Sequence, residues 1–241
     1  MTLAVTDILG DLSAATTPQG VADGLIDFAR EQGFSRAHAW FGADMEVLEA
    51  GNYPDWWADY YFENEIDTVD HIRAHCLTRV EPISWGFDID ETNPAIHPKA
   101  VECSRVAMEG FGLRNAIVFP IHVPACGLGG GVSFGADIDR PAFDKRLTEI
   151  QPTLHLAALM AHTKIQTLLR QDAAAAYNLS ERERDCLLWL AQGLRTARIA
   201  DRLGIKEVTV NFYIGKAKRK LQARTREQAV AKAVMLGLIE P

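Results

Sequence analysis

Nothing in this 241-residue chain approaches the roughly 18 consecutive apolar residues that a membrane-spanning helix needs, and its start lacks a basic-then-apolar export signal. A cytoplasmic protein that makes no use of a membrane is the expectation. Cysteine is sparse and scattered. Cys76, Cys103, Cys126 and Cys186 show no C-x-x-C spacing, which excludes a zinc ribbon and a secreted disulfide framework and leaves reduced, partly buried small apolar residues. The P-loop pattern G-x-x-x-x-G-K-[ST] is missing too, so Gly127-Leu128-Gly129-Gly130-Gly131 reads as a turn and strand rather than a phosphate cradle. No G-x-S-x-G, Cys-His pairing or metal signature points to an enzyme. His71 and His75 stand at i, i+4 without a third ligand, and Asp88 and Asp90 fit a turn better than a calcium loop.

Positive charge is scarce over most of the chain and gathered at its end. Residues 178–241 hold 13 Lys+Arg against 7 Asp+Glu, whereas residues 1–177 hold 12 against 25. Hydrophobic residues make up 48% and charged residues 24%, so both parts have the means to bury a core. A small basic body built of short helices is the electrostatic footprint of a duplex-binding module, because Lys and Arg displace the counterions condensed on phosphate. Domain boundaries are placed at 1–170, with a connector over 171–177 that includes four alanines, and 178–241.

In the basic body, Ser180 with Glu183 forms a capping box ahead of Leu187, Leu190 and Ala191, and Gly193 offers a left-handed stop. Ile199, Ala200 and Leu203 give a second short helix ending at Gly204, and a third is predicted from about Glu207 to Leu221. On that third helix Val210, Ile214, Ala217 and Leu221 share one stripe, with Thr209 and Tyr213 beside it. Val208, Asn211, Phe212 and Gly215 then point away. In a major groove Asn211 offers both a donor and an acceptor to a base edge, and Val208 and Phe212 can meet thymine methyls. Lys206 at the entrance and Lys216, Lys218, Arg219 and Lys220 toward the exit are spaced to reach phosphates. A fourth helix is predicted from about Glu227 to Leu236.

The acidic body reads as helices near 17–32, 54–65, 69–78, 97–110 and 142–170, with strands near 36–42, 46–51, 82–85, 115–121 and 128–136. Short-linked strands flanked by helices predict an α+β fold, an α-β-α sandwich around a central antiparallel sheet. Tyr53, Trp57 and Tyr61 recur at i, i+4 and i+8, which suits either a core stripe or a cavity holding a mostly apolar molecule by one polar head. Asp70 lies near a helix start, where an Asp is usually a cap.

Two sets of residues carry a resemblance. Leu179-Ser180-Glu181-Arg182-Glu183, Trp189, Gly193, Ile199-Ala200, Leu203-Gly204-Ile205, Thr209-Val210-Asn211-Phe212, Lys220-Leu221, Gln228-Ala229-Val230 and Leu236-Gly237-Leu238-Ile239 resemble the LuxR-type helix-turn-helix. Tyr53, Trp57, Tyr61, Asp70, Trp85 and Phe111-Gly112-Leu113-Arg114 stand in the order and spacing of LuxR-type autoinducer-binding domains. The resemblance implies a quorum-sensing transcription factor, not an enzyme, that answers an acyl-homoserine lactone; a LuxR-type regulator of a non-lactone signal and a phosphorylated response regulator are the alternatives. By resemblance the Trp57 indole donates to the lactone carbonyl, Asp70 accepts the amide N–H, Tyr53 meets the acyl carbonyl, Ser133 reaches the acyl carbonyl or a 3-substituent, and Tyr61 and Trp85 wall the ring. The side-chain-free run 129–131 would then leave room for a bulky or branched acyl group. Lys206, Val208, Thr209, Asn211, Phe212, Lys216, Arg219 and Lys220 form the expected DNA-facing set. Two chains related by a two-fold axis would read a near-palindromic promoter as a homodimer, with RNA polymerase as a further partner, and the long helix near 142–170 and the last helix as the dimer surfaces. The chain departs from the family pattern at His71, where relatives have Pro, and at Ala116, where they usually have Gly.

Overall fold

The computed structural model describes residues 12, 14–41, 48–123 and 128–241, and it divides into two compact units, Met1–Ile165 and Gln166–Pro241. Helix α1 (Pro18–Glu31) starts where Thr17 accepts a hydrogen bond from the Gly20 N–H and where Pro18, at the first helical position, has its φ preset. It buries Val21, Leu25, Ile26 and Phe28.

Five strands follow among the described residues: β1 (Arg36–Phe41), β2 (Leu48–Gly51), β3 (Ile83–Gly86), β4 (Asn115–Val123) and β5 (Leu128–Ala136). They form one antiparallel sheet in the order β2-β1-β5-β4-β3. Alternation along the strands gives the sheet two different faces. On one face Phe134 meets Phe28 and Phe34 edge-on, while Phe119 stacks on His155. That face is therefore covered by α1 and by α6 (Arg140–Tyr177). The other face carries His38, Trp40, Val118, Gly131 and Ser133 and is covered by α3 (His71–Thr78). A Cβ built on Gly131 would fall against Val118, the Trp40 indole and the Cys76 thiol of α3. The expected helix–sheet–helix layering is what is found.

Between β2 and β3 lie α2 (Trp56–Glu63), a single 3-10 turn (Ile66–Thr68) and α3; α4 (Phe87–Asp90) and α5 (Pro98–Phe111) link β3 to β4. The 3-10 turn and α4 carry no periodic pattern, and the sequence gives no sign of them. Asp88 and Asp90 lie in α4, where Asp88 gathers the Arg114 guanidinium, the Asn115 amide and the Arg140 N–H. The Phe111–Arg114 run is a helix exit: Gly112 adopts φ 67°, which turns the chain into β4.

Helix α6 is continuous through Ala173–Ala176, the segment expected to connect the domains, since alanine is the strongest helix former. In the second unit α7 (Glu181–Ala191) begins with the capping box of Ser180 and Glu183, and α8 (Thr196–Leu203) stops at Gly204 with φ 65°. Helices α9 (Glu207–Lys220) and α10 (Arg226–Met235) complete it. Leu187, Ala217, Leu221, Ala229 and Ala233 pack in one core cluster; Cys186, Ile199, Val210 and Ile214 pack in another. Part of the Gly127–Gly131 turn, and Cys126, lie outside the described residues.

Candidate functional site: a cavity and an exposed helix

Tyr53, Trp57, Tyr61, Asp70, Trp85 and Ser133 all line one cavity of the first unit. Helix α2 brings Trp57 and Tyr61 to it. Trp57 is 7% exposed and set edge-on to Phe111 and Tyr53, so the indole is held by rings on two sides. The Tyr53 hydroxyl donates to Ser133 Oγ across 3.3 Å, which ties the loop before α2 to the central strand β5. Both phenols are held well above the usual tyrosine range: burial is the main cause, and the neighbouring Asp70 adds to it at Tyr61.

Asp70 caps a helix and also faces the cavity. As N-cap of α3 it accepts the Ile72 N–H at 2.7 Å through Oδ1, and through Oδ2 it accepts the Tyr61 hydroxyl at 2.7 Å. A carboxylate has about four lone-pair sites, so both oxygens keep acceptor capacity toward the cavity. The Trp85 indole N–H is buried and has no protein acceptor among the described residues. In register, Trp85 stands opposite Ala116, which itself is buried in the cluster of Trp57, Cys103, Phe111 and Leu113. The methyl at 116 is therefore part of the cavity's support.

Other groups lining the cavity escaped sequence reasoning. His38 and Trp40 come from β1, Glu49 from β2, Arg73 from α3, and His71, Asp90 and Ser104 from the α3–α5 side. His38 lies stacked 4.2 Å from the Tyr53 ring, and burial pushes its pKa down to about 4, so it is neutral. Gly51 makes this possible, since a Cβ there would come within 2.9 Å of His38 Nδ1. His71, at the family's Pro position, sets Nε2 3.5 Å from the buried Asp90 carboxylate, which also accepts the Ser104 hydroxyl. Burial raises the Asp90 pKa, and the Ser104 hydrogen bond and His71 oppose the rise. His75 turns instead to the Glu81 carbonyl, 2.7 Å away, so the i, i+4 histidines serve separate partners. The alternation of His38 and Trp40 in β1 was a usable signal, but their link to Ser133 and Gly131 depends on strand register.

In the second unit α9 presents a face that its own core does not use. Val210, Ile214 and Ala217 are buried, while Val208 and Phe212 are 71% and 54% exposed and Asn211 is exposed between them. Thr209 is half-buried beside this face, and Lys206 and Arg219 are exposed at its two ends. The Lys216 ammonium sits 4.7 Å from the Phe212 ring centroid. Lys220 differs from the other cations: its ammonium donates to Glu183 Oε2 at 2.7 Å and to the Asn178 carbonyl at 2.6 Å, bracing the start of α7. Among the described residues no helix is long and apolar enough to cross a membrane.

Two family models match the chain. The one described as autoinducer binding domain covers residues 18–165, and the one described as bacterial regulatory proteins, luxR family, covers residues 177–233. The chain is similar to the HTH-type quorum sensing-dependent transcriptional regulator RpaR of Rhodopseudomonas palustris, 32% identical over 198 residues that span 80% of this chain and 76% of the relative. Its fold is similar to that of Escherichia coli SdiA, with a TM-score of 0.71, 21% identity and 97% of each chain covered. It is similar also to the N-acylhomoserine lactone dependent LuxR family factor CepR2 from Burkholderia cenocepacia, with a TM-score of 0.56, 16% identity, and 68% of this chain and 95% of the other covered.

Proposed function

This chain belongs to the LuxR family of quorum-sensing transcriptional regulators, with an autoinducer-binding domain and a DNA-binding helix-turn-helix, and from that premise we propose that its signal is an N-acyl-homoserine lactone, to which it responds as a homodimer. A lactone head presents two carbonyls and one amide N–H. In this reading the Trp57 indole donates to the ring carbonyl, Asp70 accepts the amide N–H, the Tyr53 hydroxyl meets the acyl carbonyl with Ser133 beside it, and Tyr61 and Trp85 wall the ring. The observation that carries the reading is the convergence on one cavity of the Trp57 and Trp85 indoles, the Tyr53 and Tyr61 phenols, the Ser133 hydroxyl and the Asp70 carboxylate. An acceptor-rich head with a single donor matches the indole and hydroxyl donors grouped around the Asp70 carboxylate. The lactone dependence of CepR2 is in line with it.

In this reading the cavity is a binding site, with Asp70 held by the Ile72 N–H and the Tyr61 hydroxyl and the neutral His38 stacked on the Tyr53 ring. A ligand bound only by the folded form stabilises that form by RT ln(1+[L]/Kd), about 2.7 kcal/mol at a hundredfold excess over Kd.

At the promoter, Asn211 reads a base edge, Val208 and Phe212 approach thymine methyls, Thr209 flanks them, and Lys206, Lys216 and Arg219 hold phosphates. Lys220 is assigned a shared part, since its ammonium already serves Glu183 and Asn178. One such helix reads only a few base pairs, so two chains on half-sites about one helical turn apart give the needed length. Leu156 and Leu159, both exposed and one turn apart on α6, are suited to the contact between copies. Mass spectrometry of ligand extracted from protein made in its native host, with sedimentation of the loaded protein, tests the proposal; a non-lactone ligand or a loaded monomer overturns it.

A further inference from the structure

The cavity has two chemically different ends. Ser133 marks one, where Tyr53 reaches it. In register His38 lies opposite Ser133 and Trp40 opposite Gly131, so two residues along the sheet lead roughly 6–7 Å away from that contact. There Trp40 stands directly opposite Glu49 of β2, on the same face of the sheet. The Arg73 guanidinium sits over the Trp40 ring, 5.7 Å from its centroid, and Glu49 Oε2 is 3.7 Å from His38 Nε2. All four residues line the cavity. Gly131 keeps this end open, because a side chain there would meet Val118, Trp40 and Cys76.

If Ser133, Tyr53 and Asp70 hold the polar head, the sheet register offers Trp40, Glu49 and Arg73 as a place for the ligand's other end. The Glu49 side chain is 35% accessible, and a methyl-terminated chain laid over it would take water from the carboxylate and return no hydrogen bond. Resting on the lactone reading above, we propose that the acyl substituent ends in a hydroxyl group, which donates to the Glu49 carboxylate while its chain or ring lies against the Trp40 indole. A site built around such a bond discriminates against the analogue that lacks the hydroxyl, because the carboxylate is then covered and unpaired. His38, neutral and fixed against Tyr53, borders the path between the two ends. Burial also raises the Glu49 pKa, with Arg73 opposing the rise, as expected of a carboxylate drawn partly out of water beside a cation.

The test is calorimetric titration of the full chain with N-acyl-homoserine lactones from butanoyl to decanoyl, each paired with its ω-hydroxy analogue. The expected result is that at the best-fitting length the hydroxylated ligand binds at least about tenfold more tightly, that Glu49→Leu reduces this ratio to about one or inverts it, and that Glu49→Gln keeps part of it. Circular dichroism confirms that both variants fold. Binding of the plain lactones with no gain from the hydroxyl in the wild type, or a gain that survives in Glu49→Leu, overturns the tail assignment and leaves the lactone head standing. Silence toward every lactone in all three proteins overturns both.

Discussion

Asp70 is at once a helix cap, a partner of Tyr61 and the proposed acceptor of the ligand amide, and two substitutions separate these duties. In Asp70→Ala the Ile72 N–H loses its cap, at about 1 kcal/mol, and the part-buried Tyr61 hydroxyl loses its acceptor, at about 1–3 kcal/mol. The ligand-free protein is then weaker by about 2–4 kcal/mol before any signal is added. In Asp70→Asn the amide oxygen still caps α3, because Asn caps as well as Asp, and the amide nitrogen faces Tyr61, whose hydroxyl can accept. Ligand-free stability falls by no more than about 1 kcal/mol. The ligand's N–H, however, now competes with an amide that offers one oxygen already in use, and affinity falls by about 10–100-fold as a charge-assisted bond is lost. At a ligand concentration a hundred times the wild-type Kd, stabilisation drops from about 2.7 kcal/mol to as little as about 0.4 kcal/mol. For a domain of this size 1 kcal/mol moves the melting midpoint by roughly 2–4 °C, so the ligand-induced rise shrinks from roughly 5–11 °C to about 1–2 °C. Differential scanning fluorimetry with and without the lactone reads both quantities. If Asp70→Asn keeps the full ligand-induced rise, the amide contact is wrong, whatever Asp70→Ala does.

Acid should loosen the first unit through His38. Burial lowers its folded pKa from 6.5 to about 4, so its contribution is complete above pH 6.5 and is lost as pH falls toward about 4, on the order of 2 kcal/mol by about pH 5. Denaturant titrations across that window should show a shallower fall for His38→Gln, and identical slopes would contradict the assignment. Lys220→Met should destabilise the helical unit by about 1–3 kcal/mol, because Glu183, whose pKa is lowered by hydrogen bonds from Lys220 and the Ser180 N–H against the opposing effect of burial, is left buried without its ammonium. An unchanged melting midpoint with weakened DNA binding would make Lys220 a phosphate contact alone. Asn211→Ala, on an exposed face, should leave the fold intact and cost about 1–3 kcal/mol of preference between operator variants in gel-shift competition, with equal preference before and after as the contrary result.

Much of this architecture could be read along the chain where the signal is local. The Ser180–Glu183 box and the left-handed Gly204 set helix ends by hydrogen bonds and sterics within a few residues, and observed boundaries agree with the expected ones there. The i, i+4 spacing of Trp57 and Tyr61 likewise brought both to the cavity on α2, whereas Tyr53, expected on the same helix, reaches it from the loop before α2. Helix α4 is not legible because its four residues have no period, and the stiffness of the 171–177 connector is not legible because polar and alanine-rich composition suits a join and an exposed helix alike; α6 runs through it.

What amino-acid order determined on its own was the division into an acidic and a basic body, the punctuation of the helices and the aromatic stripe, all consequences of charge count and of 3.6- and 2-residue periods. Tertiary structure alone decided which distant groups share the cavity. Strand register sets His38 beside Ser133 and Trp40 beside Glu49, and the packing of α3 over that face delivers Arg73 and His71. It also decided that Lys220, one of a run of similar cations, braces α7 through Glu183. The physical reason is the same in each case: a local period specifies which way a side chain points, but the partner it meets depends on where chain tens of residues away has been folded to lie.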